Sequence, residues 1–144
     1  MNFLLKVSLA LLLLSFSEGF ARAEDSMVVI GNRSGSLDLD LLRNIYFQNG
    51  GRLADGRVVT PIDFREDLEL REKFYMSAFG KSKMQMKAHW AQKIFSGKGN
   101  PPISVENEKD ALNLLLKEKS VFYISYMKET DVPKDVFVLL RIAH

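Results

Sequence analysis

Between residues 27 and 142 the apolar positions follow two rhythms that alternate along the chain. Met27-Val28-Val29-Ile30 is a short β-branched run stopped by Gly31-Asn32, and it predicts a buried strand. Leu37, Leu41, Leu42 and Ile45 then recur at helical spacing, with Ser36 in the N-cap position. Asp38 and Asp40 fall in the first turns, where the helix dipole favours negative charge. Gly50-Gly51 and Asp55-Gly56 mark turns, and 57–64 predicts the next strand. Pro61 cannot donate to a ladder, so this strand sits at an edge or its pairing pauses there. Leu70, Phe74 and Ala78 give a helix over 66–79, closed by Gly80.

Ser82 opens a further helix. On its wheel Met84, Ala88, Trp90, Ala91, Ile94 and Phe95 share one broad arc, which predicts the core face. Gln85, His89, Gln92 and Lys93 lie opposite and predict a solvated side. Gly97-Lys98-Gly99 follows this helix instead of preceding one. An anion cradle uses the N–H groups of a helix start, so this triplet reads as a helix stop before Pro101-Pro102. A brief extended piece at 103–105 follows, and Asn107 caps a helix carrying Ala111, Leu112, Leu115 and Leu116. The stretches 121–127 and 136–142 are rich in β-branched and aromatic residues and predict strands. Alternating strands and helices imply an α/β fold: a single three-layer domain with a mixed, mostly parallel sheet between helices.

Residues 1–23 stand apart from this pattern. One early lysine, an apolar run over 7–16 and Ala21-Arg22-Ala23 have the layout of a cleaved secretory signal peptide, which leaves 24–144 as one exported domain. The run is too short for a membrane-spanning helix, which needs about 20 apolar residues, so no membrane insertion is expected after cleavage. The chain has 20 basic and 18 acidic side chains, net +2, a balance that gives no argument for nucleic acid. With no cysteine it has neither disulfides nor thiolate metal sites. No cofactor, metal or catalytic constellation is expected: His89 sits on the polar helix face, and His144 is the last residue.

Several segments in order, L-L-R-N-I-Y-F (41–47), D-G-R-V-V-T-P-I-D (55–63), L-R-E-K-F-Y (70–75), G-K-S (80–82), H-W-A-Q-K-I-F-S-G-K-G-N-P-P (89–102) and Y-I-S-Y-M (123–127), resemble a family. It comprises short secreted proteins related to the phosphate-binding proteins of bacterial ABC transporters. The resemblance implies one lobe of a type II periplasmic binding protein and a location in the periplasm. It also implies a phosphate-like small anion as ligand, and a transporter component or sensor as partner.

The longer relatives close two lobes over the anion and hold it with a loop resembling R-A-D-G-S-G-T. Here the corresponding stretch, 63–70, carries Arg65 but crowds four carboxylates, Asp63, Glu66, Asp67 and Glu69, around the spot. Each is a like-charge penalty of about 1 kcal/mol against a phosphate near the surface. The polar loop with Arg33, Ser34 and Ser36 runs into a helix start and is a second candidate for anion contacts. Arg65, Arg33, Ser34 and Ser36 are therefore the candidate ligand residues. The alternative to solute binding is a lobe that kept its fold, lost its grip, and docks another envelope protein.

Overall fold

A computed structural model describes residues 26–142; the leader at 1–23 lies outside the described residues, as does His144. Eleven elements follow in order: β1 (Met27–Gly31), α1 (Leu39–Gln48), β2 (Gly51–Arg52), β3 (Val58–Phe64), α2 (Glu69–Phe79), α3 (Lys83–Phe95), β4 (Ile103–Val105), α4 (Glu108–Lys117), β5 (Tyr123–Lys128), a 3-10 turn (Glu129–Asp131) and β6 (Phe137–Ile142). The expected α/β architecture is present.

The sheet runs β2-β3-β5-β1-β6, with β4 also paired to β3. It is mixed rather than mostly parallel. Only β3–β4 and β3–β5 are parallel, whereas β1 pairs antiparallel with both β5 and β6, and β2 antiparallel with β3. The strand–helix alternation suggested parallel neighbours because it is silent about β1, which slots between two strands from the far end of the chain. All five residues of β1 are buried. Gly31 is needed there by close approach: a Cβ would meet the Leu139 side chain at 2.8 Å and Phe122 at 3.0 Å.

Pro61 does not put β3 at an edge. The β3–β5 ladder covers only Thr60↔Tyr123 and Pro61↔Ile124, and β4 takes up Ile62–Phe64. The Ile62 carbonyl at this break accepts from Tyr46 Oη at 3.1 Å and Ser125 Oγ at 3.4 Å, so side chains do the work of the shortened ladder. Above it lies an aromatic cluster. Phe74 stacks on Tyr126 with ring centres 3.6 Å apart, and Tyr46 meets both rings edge-on.

Two helix starts differ from the expected ones. Asp38, not Ser36, caps α1 by accepting from Leu41 N at 2.7 Å; Leu37 before it is drawn into the core instead of the helix. The α2 helix begins at Glu69 rather than 66, because 65–67 serve an ion-paired turn. The other ends are as expected. Gly80 stops α2 in the left-handed conformation, Ser82 and Gln85 form a capping box on α3, and Asn107 caps α4. Gly97 also turns left-handed (φ 69°), and Lys98 N–H returns to the Lys93 carbonyl at 2.9 Å, so the Gly-Lys-Gly stretch is a helix stop.

The α3 helix departs furthest from its wheel. Met86 and Trp90 are buried, but Met84 is 81%, Ile94 53% and Phe95 95% exposed. The face turned inward instead carries His89 and Lys93. Lys93 Nζ donates to the Phe47 carbonyl at 2.6 Å, and His89 Nε2 lies 3.1 Å from the same oxygen. That carbonyl belongs to the last turn of α1, where orphan acceptors and the negative dipole end favour cations. His89 is thus half-buried against Phe47 and Trp90, not solvated.

Candidate functional site

The end of β3 and the turn into α2 organise the polar chemistry of the described residues. Asp63 is buried and accepts from Tyr75 Oη at 2.7 Å, Arg71 Nε at 3.0 Å, Phe64 N at 2.8 Å and the Tyr126 hydroxyl. Arg71 lies one turn before Phe74 on the inward face of α2, which is how a cation reaches the core. Burial, and then the Asp63 charge, push the Tyr75 and Tyr126 hydroxyls well above the ordinary tyrosine range. Tyr46 is shifted the same way for the same reasons. These phenols are donors at every physiological pH. The cluster is a structural hub: Asp63 is filled, and no solute can take it as a partner without displacing one of these donors.

Arg65 follows two residues later and is equally committed. Its Nε lies 2.6 Å from Asp67, and a terminal nitrogen reaches Glu106 at 2.7 Å, so it ties the β3–α2 turn to the turn before α4. Glu69 pairs with Lys73 at 3.0 Å, which holds its carboxyl below the usual range. Of the four carboxylates that crowd this stretch, three are therefore matched by cations.

Arg33 sits elsewhere, with a terminal nitrogen donating to the Lys119 carbonyl at 2.6 Å, beyond the carboxyl end of α4. Ser34 and Ser36 are exposed on the same loop. Arg33 and Arg65 thus mark opposite ends of a ten-residue helix, about 15 Å long at 1.5 Å per residue. The structure does not bring the two candidate arginines together.

It brings together other residues instead. An open cleft of about 330 Å³ lies between the amino ends of α2 and α4, lined by Leu68–Leu70, Lys73, Asn107, Glu108, Lys128 and Asp131. No side chain caps the start of α2, where Leu68 stands at the N-cap, so its first N–H groups have no side-chain acceptor. Asn107 does cap α4, accepting from Asp110 N at 3.0 Å. Lys73 and Lys128 supply positive charge; Glu69, Glu108 and Asp131 oppose it. Burial, and then the charge of Asp131, raise the Glu108 carboxyl above its usual value.

Sequence reasoning reached the loop of this cleft but missed Lys73, Lys128, Glu108 and Asp131, because nothing in their spacing says that the ends of α2, α4 and β5 converge. Arg71 did leave a signal: it shares the helical stripe of Phe74, Tyr75 and Ala78. Among the described residues no group of three His, Asp or Glu side chains is placed to hold a metal ion, and no helix is long and apolar enough to cross a membrane. Comparison of the chain with protein-family models, curated proteins and solved structures finds no match in any of the three.

Proposed function

We propose that the chain is an exported, single-lobe solute-binding protein of the phosphate-receptor type, taking a small anion for an ABC transporter or a sensor in the periplasm. The observation that carries this reading is the uncapped start of α2 opening on a cleft edged by Lys73 and Lys128. It is the same turn that the resemblance assigns to the anion. Export rests on the leader pattern at 1–23. The role is binding rather than catalysis, since His89 is held at the Phe47 carbonyl and has no nucleophile beside it among its hydrogen-bond partners.

The three carboxylates make the grip weak. Titration calorimetry of residues 24–144 with phosphate, sulfate and small carboxylates is expected to give millimolar binding that Lys128→Glu abolishes. A ligand at 100 times its dissociation constant stabilises by about 2.7 kcal/mol. No heat and no rise in melting temperature at high anion would overturn the reading.

A second reading is favoured by the exposed apolar side of α3. Met84, Ile94 and Phe95 project from a helix flanked by Lys83, Lys87 and Lys98. That surface suits an envelope protein presenting an acidic, apolar groove. Under this reading a partner recovered with the wild-type chain is lost with Met84→Asp or Phe95→Asp and kept with Lys128→Glu.

A further inference from the structure

A second cavity, of about 300 Å³, lies on the other side of the β3 end, beneath α3. Its walls are mainly apolar, from Phe64, Met86, Trp90, Ala91, Ile94 and Pro102. One polar group in this wall is unfinished, and a cation lies in the same wall. Trp90 is 6% exposed, and its Nε1 has no hydrogen-bond acceptor among the described residues. Arg71 is 7% exposed and lines the same wall; its Nε meets Asp63, and its guanidinium lies 4.7 Å from the ring centre of Tyr75, with whose hydroxyl it also interacts. An indole N–H out of water without an acceptor is unfavourable, and native cores rarely leave one so. A planar guanidinium has five N–H donors and is shaped for a carboxylate.

We propose that this cavity binds a small apolar monocarboxylate, its ring or branched alkyl body against Met86, Trp90, Ile94 and Pro102 and its carboxylate at Arg71. The volume sits at the small end of ligand pockets, which suits a single ring with a short acidic arm. Four charges face the site. Asp63 is already filled by its donors, Arg71 is its partner, and Glu66 and Lys87 both stand at the rim. A carboxylate entering there meets two cations and two anions, with the unpaired indole N–H of Trp90 in the same wall. The binding site is distinct from the cleft at the start of α2 and does not depend on it, and phosphate, too polar for these walls, serves as the negative control.

Trp90 is the only tryptophan in the chain, so its fluorescence reports on this cavity alone. Residues 24–144 are titrated with phenylacetate, with its neutral amide, and with phosphate. Phenylacetate is expected to change the Trp90 emission saturably, the amide to bind at least about tenfold more weakly, and phosphate to leave the emission unchanged. Ala91→Phe, at an exposed helix position facing the cavity, fills the space and is expected to weaken phenylacetate at least about tenfold while the melting temperature holds. Lys87→Glu, on the exposed rim, gives an independent check if that variant folds poorly, and is expected to weaken phenylacetate more than the amide. Equal binding of acid and amide, undiminished binding in Ala91→Phe, or no saturable change with phenylacetate would each overturn the proposal.

Discussion

The two sides of the β3 end are built from the same arginine and treat it oppositely. Towards α2 and β5, Arg71 Nε meets Asp63, and two tyrosine hydroxyls and a backbone N–H complete that carboxylate's shell. Towards α3, Arg71 lines a mainly apolar cavity in whose wall the indole nitrogen of Trp90 has no acceptor among the described residues. Buried polar groups are stabilising when every member is satisfied and costly when one is not. The difference separates a hub that holds the fold from a wall that has room for something else.

The hub is where the largest effect is expected. Asp63→Ala leaves a buried guanidinium and two phenols without their common acceptor, and losing one partner of a buried pair is worth about 3–5 kcal/mol. Urea unfolding should show that loss. Arg65→Ala, which breaks only exposed ion pairs, should shift stability by about 1 kcal/mol or less. Equal losses in the two variants would show that the hub is no more important than the surface turn.

Alkaline pH probes the same hub without mutation. Tyr46, Tyr75 and Tyr126 ionise well above the ordinary tyrosine value in the folded chain, because burial and then the Asp63 charge disfavour the phenolate. The unfolded chain therefore loses these protons first, at about pH 10. Their contribution is fully present below that pH and is lost as pH rises through it, by about 1.4 kcal/mol per pH unit for each tyrosine. Urea midpoints measured from pH 9 to 11 should fall steeply. Tyr46→Phe, which forfeits one hydrogen bond to the Ile62 carbonyl, should make that fall shallower. An unchanged slope would place the alkaline transition outside the hub.

Local signals carried much of this architecture and failed where the partner was distant. Ser82, Asn107, Gly80 and Gly97 were readable because a cap is chemistry between residues three or four apart. The mixed sheet was not: β1 finds β5 and β6 about a hundred residues later as antiparallel neighbours, and no periodicity encodes that order. The wheel of α3 misled for a related reason. Hydrophobicity favoured Met84, Ile94 and Phe95 as the core face, yet the orphan carbonyl of Phe47 at the end of α1 draws His89 and Lys93 inward. Of the candidate site, Arg65 was visible as a residue of the right loop, but its commitment to Glu106 depends on where α4 begins in space.

That rotation of α3 gives the smallest expected effect and the sharpest contrast within one helix. Phe95 is a large aromatic that a wheel assigns to the core, and Met86 is a more modest residue two turns away. Phe95 is 95% exposed and Met86 1%. Phe95→Ser should therefore leave stability within about 0.5 kcal/mol of wild type, whereas Met86→Ala should lose about 2–5 kcal/mol by opening a void beside Trp90. Thermal unfolding of the two variants decides it. If Phe95→Ser is the more damaging, α3 is seated in the opposite rotation, with Phe95 inside; the Phe47 carbonyl then has neither Lys93 nor His89 at its side, and the cavity at Trp90 closes with it.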